Sequence, residues 1–385
     1  MLIKIFKKNI IEIIFVLMLS LCFFRFKVLA SLHLVGFLFS FFVFLLASLQ
    51  SRFGMSYKTV CWLVGILVLG IFSYIISGNP SNLSISYFLM NYSLPVLYVL
   101  ITDSTVRNLS YFKILSIIKK MLGYVRIYLF VELITRLFII SAKYIFARDF
   151  LGLYINLKQT SFSYSDCNFL GLFILWLYCL SLYLYKTTND KFFKKQNHFL
   201  VFFAFTSMSR SVMLTIIAIN YLVFLYKKYK GGHFVFLVAN VLVIPLLIFF
   251  IYNVLMNDAS FRSKVGILQG LRRIYGYSMN NILFGFGYGV GEYAYSYIKD
   301  GFGHLHIALF LGQIGVIGIT YFLFWLMRIN SVAKNNCLLI IFAFLLSGFS
   351  LSFADSSFFL CMAIIADLER KRKESNLALE TQLLI

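Results

Sequence analysis

Residues 257–303 form the one long polar stretch in a chain that is otherwise a series of apolar blocks. The stretch carries Arg262, Arg272 and Arg273, and His304 follows it directly. Apolar segments of membrane-spanning length flank it, so we expect these cations to lie against a lipid surface. Cationic side chains in that position suit an anionic, lipid-attached substrate. The residue types therefore predict a site for such a substrate at a membrane surface.

His304 and His306 are candidates for proton transfer. Imidazole accepts a proton from a hydroxyl near neutral pH, as a general base must. The alternative is that each histidine is an ordinary polar residue at the membrane–water boundary. A metal site is not indicated, because Glu292 and Asp300 are the only nearby acids and no third ligand has a suitable spacing. We therefore expect neither a metal nor a cofactor.

Arg210 lies in the sequence TSMSRS of residues 206–211, between two short apolar runs. The second run begins directly after it, so the free N–H groups of a predicted helix lie beside the guanidinium. An arginine next to a helix N-terminus favours phosphate binding. The alternative is an arginine that extends to lipid headgroups.

The fifth predicted membrane helix contains Arg126, Glu132 and Arg136. Charges at membrane depth are costly unless they are paired or face a cavity. Glu132 and Arg136 are four residues apart with the acid first, which favours an intrahelical ion pair. Arg136 is nearer the predicted outer end, so it is also a candidate for lining a substrate cavity.

Glycines alternate with other residues in GFGYGVG, which begins at Gly285 and Gly287. This run is not a dinucleotide-binding motif, because no predicted strand precedes it. Glycine permits positive φ angles and close backbone approach, so the run is compatible with a tight turn that presents amides to a ligand. Gly285 and Gly287 are candidate substrate contacts on this basis.

The composition excludes a soluble domain. Hydrophobic residues make up 61% of the chain and charged residues 13%, and the mean hydropathy is +0.88. The apolar runs lack the alternation of a membrane β-barrel, so we predict an all-α polytopic bundle of about twelve transmembrane helices. The predicted spans are residues 9–24, 28–49, 59–77, 83–102, 121–142, 168–185, 198–209, 211–226, 234–256, 305–327, 337–354 and 356–367.

The net charge of +21 is distributed by membrane side and is not gathered on one face. With the N-terminus in the cytoplasm, most of the 35 Lys and Arg residues fall in predicted inner segments. This orientation makes nucleic acid a poor partner. It places residues 143–167 outside, makes 257–303 a large periplasmic loop between the ninth and tenth helices, and makes 368–385 a cytoplasmic tail.

We predict one integral membrane domain over residues 1–385, because no linker or low-complexity tract divides the chain. The six cysteines show no CxxC spacing, so no disulfide framework is indicated. A transporter is an alternative for a chain with this many spans. Transporters commonly have paired halves, and residues 1–190 and 191–385 show no convincing repeat.

Five short motifs, taken in order, resemble those of the bacterial O-antigen polymerase (Wzy) and O-antigen ligase superfamily over roughly residues 162–318. They are residues 165–171, residues 206–211, Arg262, residues 281–287, and His304 eleven residues before Gly315 with Gly318 beyond it. Two positions depart from the family pattern. Cys167 stands in place of a proline, and Leu305 stands where asparagine usually follows the histidine, which leaves His306 as a competing assignment.

The resemblance implies a metal-independent inverting glycosyltransferase whose donor is an oligosaccharide linked to undecaprenyl pyrophosphate. It assigns His304 as the base that deprotonates the attacking sugar hydroxyl. Arg210 and Arg262, helped by Arg272 or Arg273, would bind the donor pyrophosphate.

The resemblance further implies a bacterial inner membrane protein that works at the periplasmic face, with membrane lipid and a polysaccharide chain-length regulator as partners. A polymerase joins lipid-linked repeat units, whereas a ligase transfers polymer to the lipid A core. We favour the polymerase because the outer segment is compact and the chain is short for the superfamily. The alternatives from other classes are a polysaccharide or lipid-linked oligosaccharide transporter and a membrane scaffold.

Overall fold

The computed structural model describes residues 2–24, 108–144, 160–164, 167–228, 259–287, 294–296, 305–348 and 356–383, with isolated positions between 42 and 106. Every regular element in these ranges is a helix, so the predicted all-α class is confirmed for this part of the chain. In chain order the helices are α1 (Leu2–Phe23), α2 (Tyr111–Tyr144), α3 (Cys167–Thr188), α4 (Lys191–Thr206), α5 (Arg210–Lys228), α6 (Ala259–Gly270), a 3-10 helix (Leu271–Gly276), α7 (Met279–Phe284), α8 (His306–Val332), α9 (Leu338–Ser347) and α10 (Ser356–Leu383).

Two of these helices, α3 and α8, are long and apolar enough to cross a membrane. Shorter apolar helices cover Ile10–Phe23, Arg210–Phe224 and Leu338–Ser347. Four predicted spans lie outside the described residues apart from isolated positions: 28–49, 59–77, 83–102 and 234–256. The bundle of twelve spans therefore stays a prediction.

Helix α4 starts earlier than the predicted span 198–209 because Asp190 caps its N-terminus. The Asp190 carboxylate accepts a hydrogen bond from the N–H of Phe192 over 2.8 Å. The helix stops at Thr206, and Met208 has a φ of 56°, which the right-handed helix cannot contain. Local backbone chemistry thus sets both ends of α4, and the apolar run alone does not.

We expect Asp190→Ala to destabilise the protein by about 1 kcal/mol, because α4 loses its cap. Hydrogen bonds from Lys119 and from the Phe192 N–H lower the pKa of the Asp190 carboxyl. Its contribution is therefore present above the ordinary aspartate pKa and is lost as the pH falls through the lowered value. Thermal unfolding of the purified protein checks this. Asp190→Asn, which keeps a capping oxygen, is the matched control, and equal midpoints for Asp190→Ala and the parent would contradict the assignment.

Helix α10 continues as one helix from the predicted last span into the predicted tail and ends at Leu383. The cytoplasmic location of residues 368–385 stays a prediction. Glu369 is buried and accepts a hydrogen bond from Tyr183 Oη over 3.0 Å. Arg370 pairs with Asp367 at 2.6 Å, one helical turn back. Glutamate, lysine and arginine are good helix formers, so the charged run extends the helix.

Helix α3 forms the centre of the described core and packs against α4, α5, α9 and α10. It is buried along nearly its whole length. Trp176 at its middle lies 5.1 Å from the ring of Phe358 on α10 and 6.3 Å from that of Phe344 on α9. One large apolar cluster therefore fixes the helices that carry the polar ends of the bundle.

The contacts between helices define two ends of the bundle. The first, which we name the Arg136 end, holds the start of α3 and the turn between α4 and α5. Helix α10 runs away from this end, from Phe358 beside Trp176 to Glu369 beside Tyr183, and α9 runs the opposite way, from Cys337 at Met362 to Phe344 at Phe358. Gly348 after α9, and the start of α8 whose His306 N–H donates to Gly348, therefore lie towards the Arg136 end. The second, the Asp190 end, holds the turn between α3 and α4, Lys119 and Glu369. Among the described residues, five ion pairs lie at or near the Asp190 end: Lys113–Glu12, Lys119–Asp190, Arg370–Asp367, Lys371–Glu374 and Arg372–Glu369.

Candidate functional site

Arg136 ties α2 to α3 and to the end of α4. Its Nη1 donates a hydrogen bond to Cys167 Sγ over 2.8 Å, and its Nη2 donates to the carbonyl oxygen of Thr206. The side chain is only 2% exposed, so the two partners offset part of the cost of burying a charge. Arg136 thus braces the turn that precedes Arg210. Its predicted contact with substrate stays a prediction.

Glu132 and Arg136 do not form the predicted ion pair within the described residues. The Glu132 carboxylate instead accepts hydrogen bonds from Ser161 Oγ at 2.7 Å, from the Phe162 N–H at 3.0 Å and from Ser163 Oγ at 2.6 Å. Three donors from one loop segment satisfy a carboxylate better than one flexible side chain does. The acid therefore anchors the segment before α3, and the sequence spacing gave no signal of this.

The turn between α4 and α5 packs closely on α3 at Gly171. A Cβ atom at Gly171 would lie 2.9 Å from both Ser207 Oγ and Ser209 Cβ. Ser207 and Ser209 are buried, whereas Arg210 is exposed at the first position of α5. The structure therefore places Arg210 at a helix N-terminus, as the sequence predicted. The turn that precedes Arg210 packs against α3.

Residues 259–276 pack on the beginning of α8 through a small second core. Ile267 of α6 and Tyr295 are buried in it with Leu305, Ala308 and Leu311. Burial, followed by the neighbouring Tyr277, raises the pKa of Tyr295 to about 12, so its phenol stays neutral.

The arginines of this segment are on its outside. Arg262 on α6 is exposed, and so are Arg272 and Arg273 on the 3-10 helix. The described part of the predicted loop thus includes a folded substructure that displays Arg262, Arg272 and Arg273 at the Arg136 end of the bundle.

Helix α7 is seated in a break of α8. The break is at Gly315, where φ is 62° and ψ is −171°. A Cβ atom there would collide with the carbonyl oxygen of Leu283 and the amide of Gly285. Gly285 also has a positive φ, and a Cβ atom on it would lie 2.6 Å from the carbonyl carbon of Gln313. Two glycines therefore allow the two backbones to touch.

The amides around Gly285 are used within the chain. The Gly285 N–H donates to the carbonyl oxygen of Asn281 over 2.8 Å, and the Phe286 N–H donates to the carbonyl oxygen of Gly312 over 2.7 Å. The second bond supplies a donor to α8 where its own ladder is interrupted. Gly287 is buried with a φ of 84°. The positive φ angles expected of this run are confirmed at Gly285 and Gly287, while their contact with substrate stays a prediction.

His306 is buried at the start of α8 between aromatic rings. Its ring stacks on Phe344 at 4.4 Å and on Phe310 at 5.5 Å, and its backbone N–H donates to the carbonyl oxygen of Gly348 over 3.0 Å. Its Nδ1 has no hydrogen-bond partner among the described residues. An enclosed imidazole is poorly placed to meet an acceptor sugar. The preferred base, His304, lies outside the described residues.

The structure thus brings Arg136 to the turn that carries Arg210, and it places Arg262, Arg272 and Arg273 together on one substructure. The sequence did not predict that Gly171, Glu132 and Gly315 make the contacts that position these segments. Gly171 and Gly315 do lie in the motifs on which the family resemblance rests. No three metal-ligating side chains come together in the described part of the chain, and metal independence stays a prediction.

Comparison of this chain with protein-family models, curated proteins and solved structures gave no match.

Proposed function

We propose that this protein is a surface polysaccharide polymerase of the O-antigen polymerase type. It joins repeat units that are carried on undecaprenyl pyrophosphate, at the periplasmic face of a bacterial inner membrane. The proposal rests on the motif resemblance of the sequence and on the cation chemistry of the described residues.

One structural observation supports it most. The segment with Arg262, Arg272 and Arg273 is folded onto the start of α8, at the bundle end that also carries Arg136 and Arg210. Exposed guanidinium groups beside an apolar bundle suit a pyrophosphate whose lipid tail stays in the membrane.

The charges at the Asp190 end support the proposed orientation. Exposed basic residues near that end include Lys191, Lys194 and Lys195 on α4 and Arg372 on α10. Basic residues accumulate on the cytoplasmic side of membrane proteins. The Arg136 end would then face the periplasm, where lipid-linked repeat units are polymerised.

The proposed reaction is a direct displacement at the anomeric carbon of the donor. His304 takes the proton of the acceptor hydroxyl while its oxygen forms the new bond to that carbon. The bond between the carbon and the pyrophosphate oxygen breaks, and the electron pair leaves with the pyrophosphate. Arg210 and Arg262 stabilise the charge that develops on the leaving group.

We expect Arg262→Ala to abolish polymer formation when it is expressed in a deletion strain, because the pyrophosphate loses a charge-assisted contact. Arg262→Lys should restore little, since lysine lacks the planar fork that engages two oxygens. The measurement is the size distribution of the surface glycan, with protein level checked by immunoblot.

Arg328→Ala is the matched control, because Arg328 is an exposed arginine near the opposite end of α8. Full-length polymer from Arg262→Ala would remove this residue from the site. In the deletion strain itself, polymer that never reaches the lipid A core would identify a ligase. Repeat units held on the cytoplasmic side would identify a transporter.

A further inference from the structure

One face of the segment 259–287 is exposed and mixes apolar with basic side chains. Leu268 at the end of α6 and Arg272 and Tyr275 on the 3-10 helix follow each other at helical spacing. Met279 begins α7 after the extended residues Tyr277 and Ser278. Tyr275 is 91% exposed, Met279 67% and Leu268 41%. Large apolar side chains this exposed on one small substructure indicate an interaction surface.

The orientation of this face is fixed by the residues behind it. Ile267 is buried against the start of α8, and Leu271 and Ile274 pack on the same small core. Ile267, Leu271 and Ile274 each directly precede one of the exposed residues Leu268, Arg272 and Tyr275, so the two sets have the same spacing. The exposed face therefore cannot turn inwards while the segment stays packed on α8.

The charge of the segment selects the chemistry of its partner. Residues 259–287 include Arg262, Lys264, Arg272 and Arg273 and no acidic residue. Basic residues next to exposed Leu, Met and Tyr side chains are typical of protein surfaces that rest on an anionic lipid bilayer. Tyrosine in particular favours the headgroup level, where its ring is in apolar surroundings and its hydroxyl is hydrated.

The location of the segment agrees with this partner. It packs on Leu305 and on Ala308 and Leu311 in the first two turns of α8. Helix α8 is one of the two helices in the described part of the chain that are long and apolar enough to cross a membrane. A substructure fixed to the end of a spanning helix lies near the headgroup layer.

We infer that the face formed by Leu268, Arg272, Arg273, Tyr275 and Met279 docks on anionic phospholipid headgroups. Tyr275 and Met279 enter the interface, and the two arginines contact the lipid phosphates. This surface contact goes beyond the proposed reaction and needs no lipid-linked glycan. It gives Arg272 and Arg273 to phospholipid and leaves Arg210 and Arg262 as the ligands of the donor pyrophosphate.

The test places the fluorescent residue dansylalanine at position 275 of the full chain, in nanodiscs that contain no lipid-linked glycan. In phosphatidylglycerol nanodiscs we expect a blue-shifted emission that nitroxide-labelled lipid quenches. Quenching should fall in phosphatidylcholine nanodiscs and in the Arg272→Gln/Arg273→Gln variant. The matched control is Lys194→Gln/Lys195→Gln, an adjacent exposed basic pair on α4, which should leave quenching unchanged.

A second probe at position 279 should behave in the same way. Water-like emission at both positions, quenched by iodide and not by lipid, would overturn the inference. Equal lipid quenching in both lipids would overturn the assignment to anionic headgroups. Quenching that depends on the number of chains per disc would assign the face to a second copy instead. Because the readout requires no turnover, its failure is distinguishable from failure of the proposed reaction, which the Arg262→Ala variant tests separately.

Discussion

Alanine at Gly315 should release α7 from α8 and expose the arginine-bearing segment to protease. Alanine disfavours a φ of 62° with a ψ of −171°, and such strain costs of order 1–3 kcal/mol. The added Cβ atom also meets the backbone of Leu283 and Gly285, which cannot move aside as a flexible side chain can. Limited trypsin digestion of the purified protein, with peptides identified by mass spectrometry, should show faster cleavage at Arg262, Arg272 and Arg273.

Gly276→Ala is the control for this experiment. Gly276 ends the 3-10 helix, its Cβ position is open space, and it lies in the same segment. It should be cleaved at the parental rate. Gly285→Ala should resemble Gly315→Ala, because its Cβ meets the other side of the same contact. Parental cleavage in both of these variants would mean that the two glycines do not hold the segment in place.

Removal of the imidazole at His304 should stop polymerisation and leave single lipid-linked repeat units. Under the proposed function, His304→Ala loses the general base, which contributes about 10²- to 10⁴-fold to the rate. Donor binding should be largely preserved, because the lost group acts on the acceptor hydroxyl and not on the phosphates. The chain length of lipid-linked glycan in cells and donor binding to the purified protein are the two measurements.

His306→Phe is the structural counterpart of that experiment. Phenylalanine keeps an aromatic ring between Phe310 and Phe344, so this variant should fold and should keep polymer formation if His306 only packs. Normal polymer from His304→Ala, together with none from a folded His306→Phe, would identify His306 as the general base instead of His304.

The apolar runs of the sequence, and the polar and turn-forming residues between them, determine the helical class and the approximate position of most described helices. Long apolar stretches have few ways to satisfy their backbone outside helices, so the starts of α3, α5 and α8 lie within a residue of the predicted spans. Exact ends depend on single side chains, as Asp190 shows. The sequence alone also indicates the candidate site residues, because the polar stretch 257–303 differs in composition from the apolar segments on either side.

Only the tertiary structure decides which of these residues meet. The spacing of Glu132 and Arg136 predicts a mutual pair, yet each side chain finds stronger partners in segments distant along the chain. The contact of Gly285 with the break at Gly315 could not be predicted from hydrophobic periodicity either. It depends on two backbones that approach so closely that neither glycine position has room for a Cβ atom. Local propensity acts over a few neighbouring residues, whereas burial rewards whichever distant groups satisfy each other once the chain is packed.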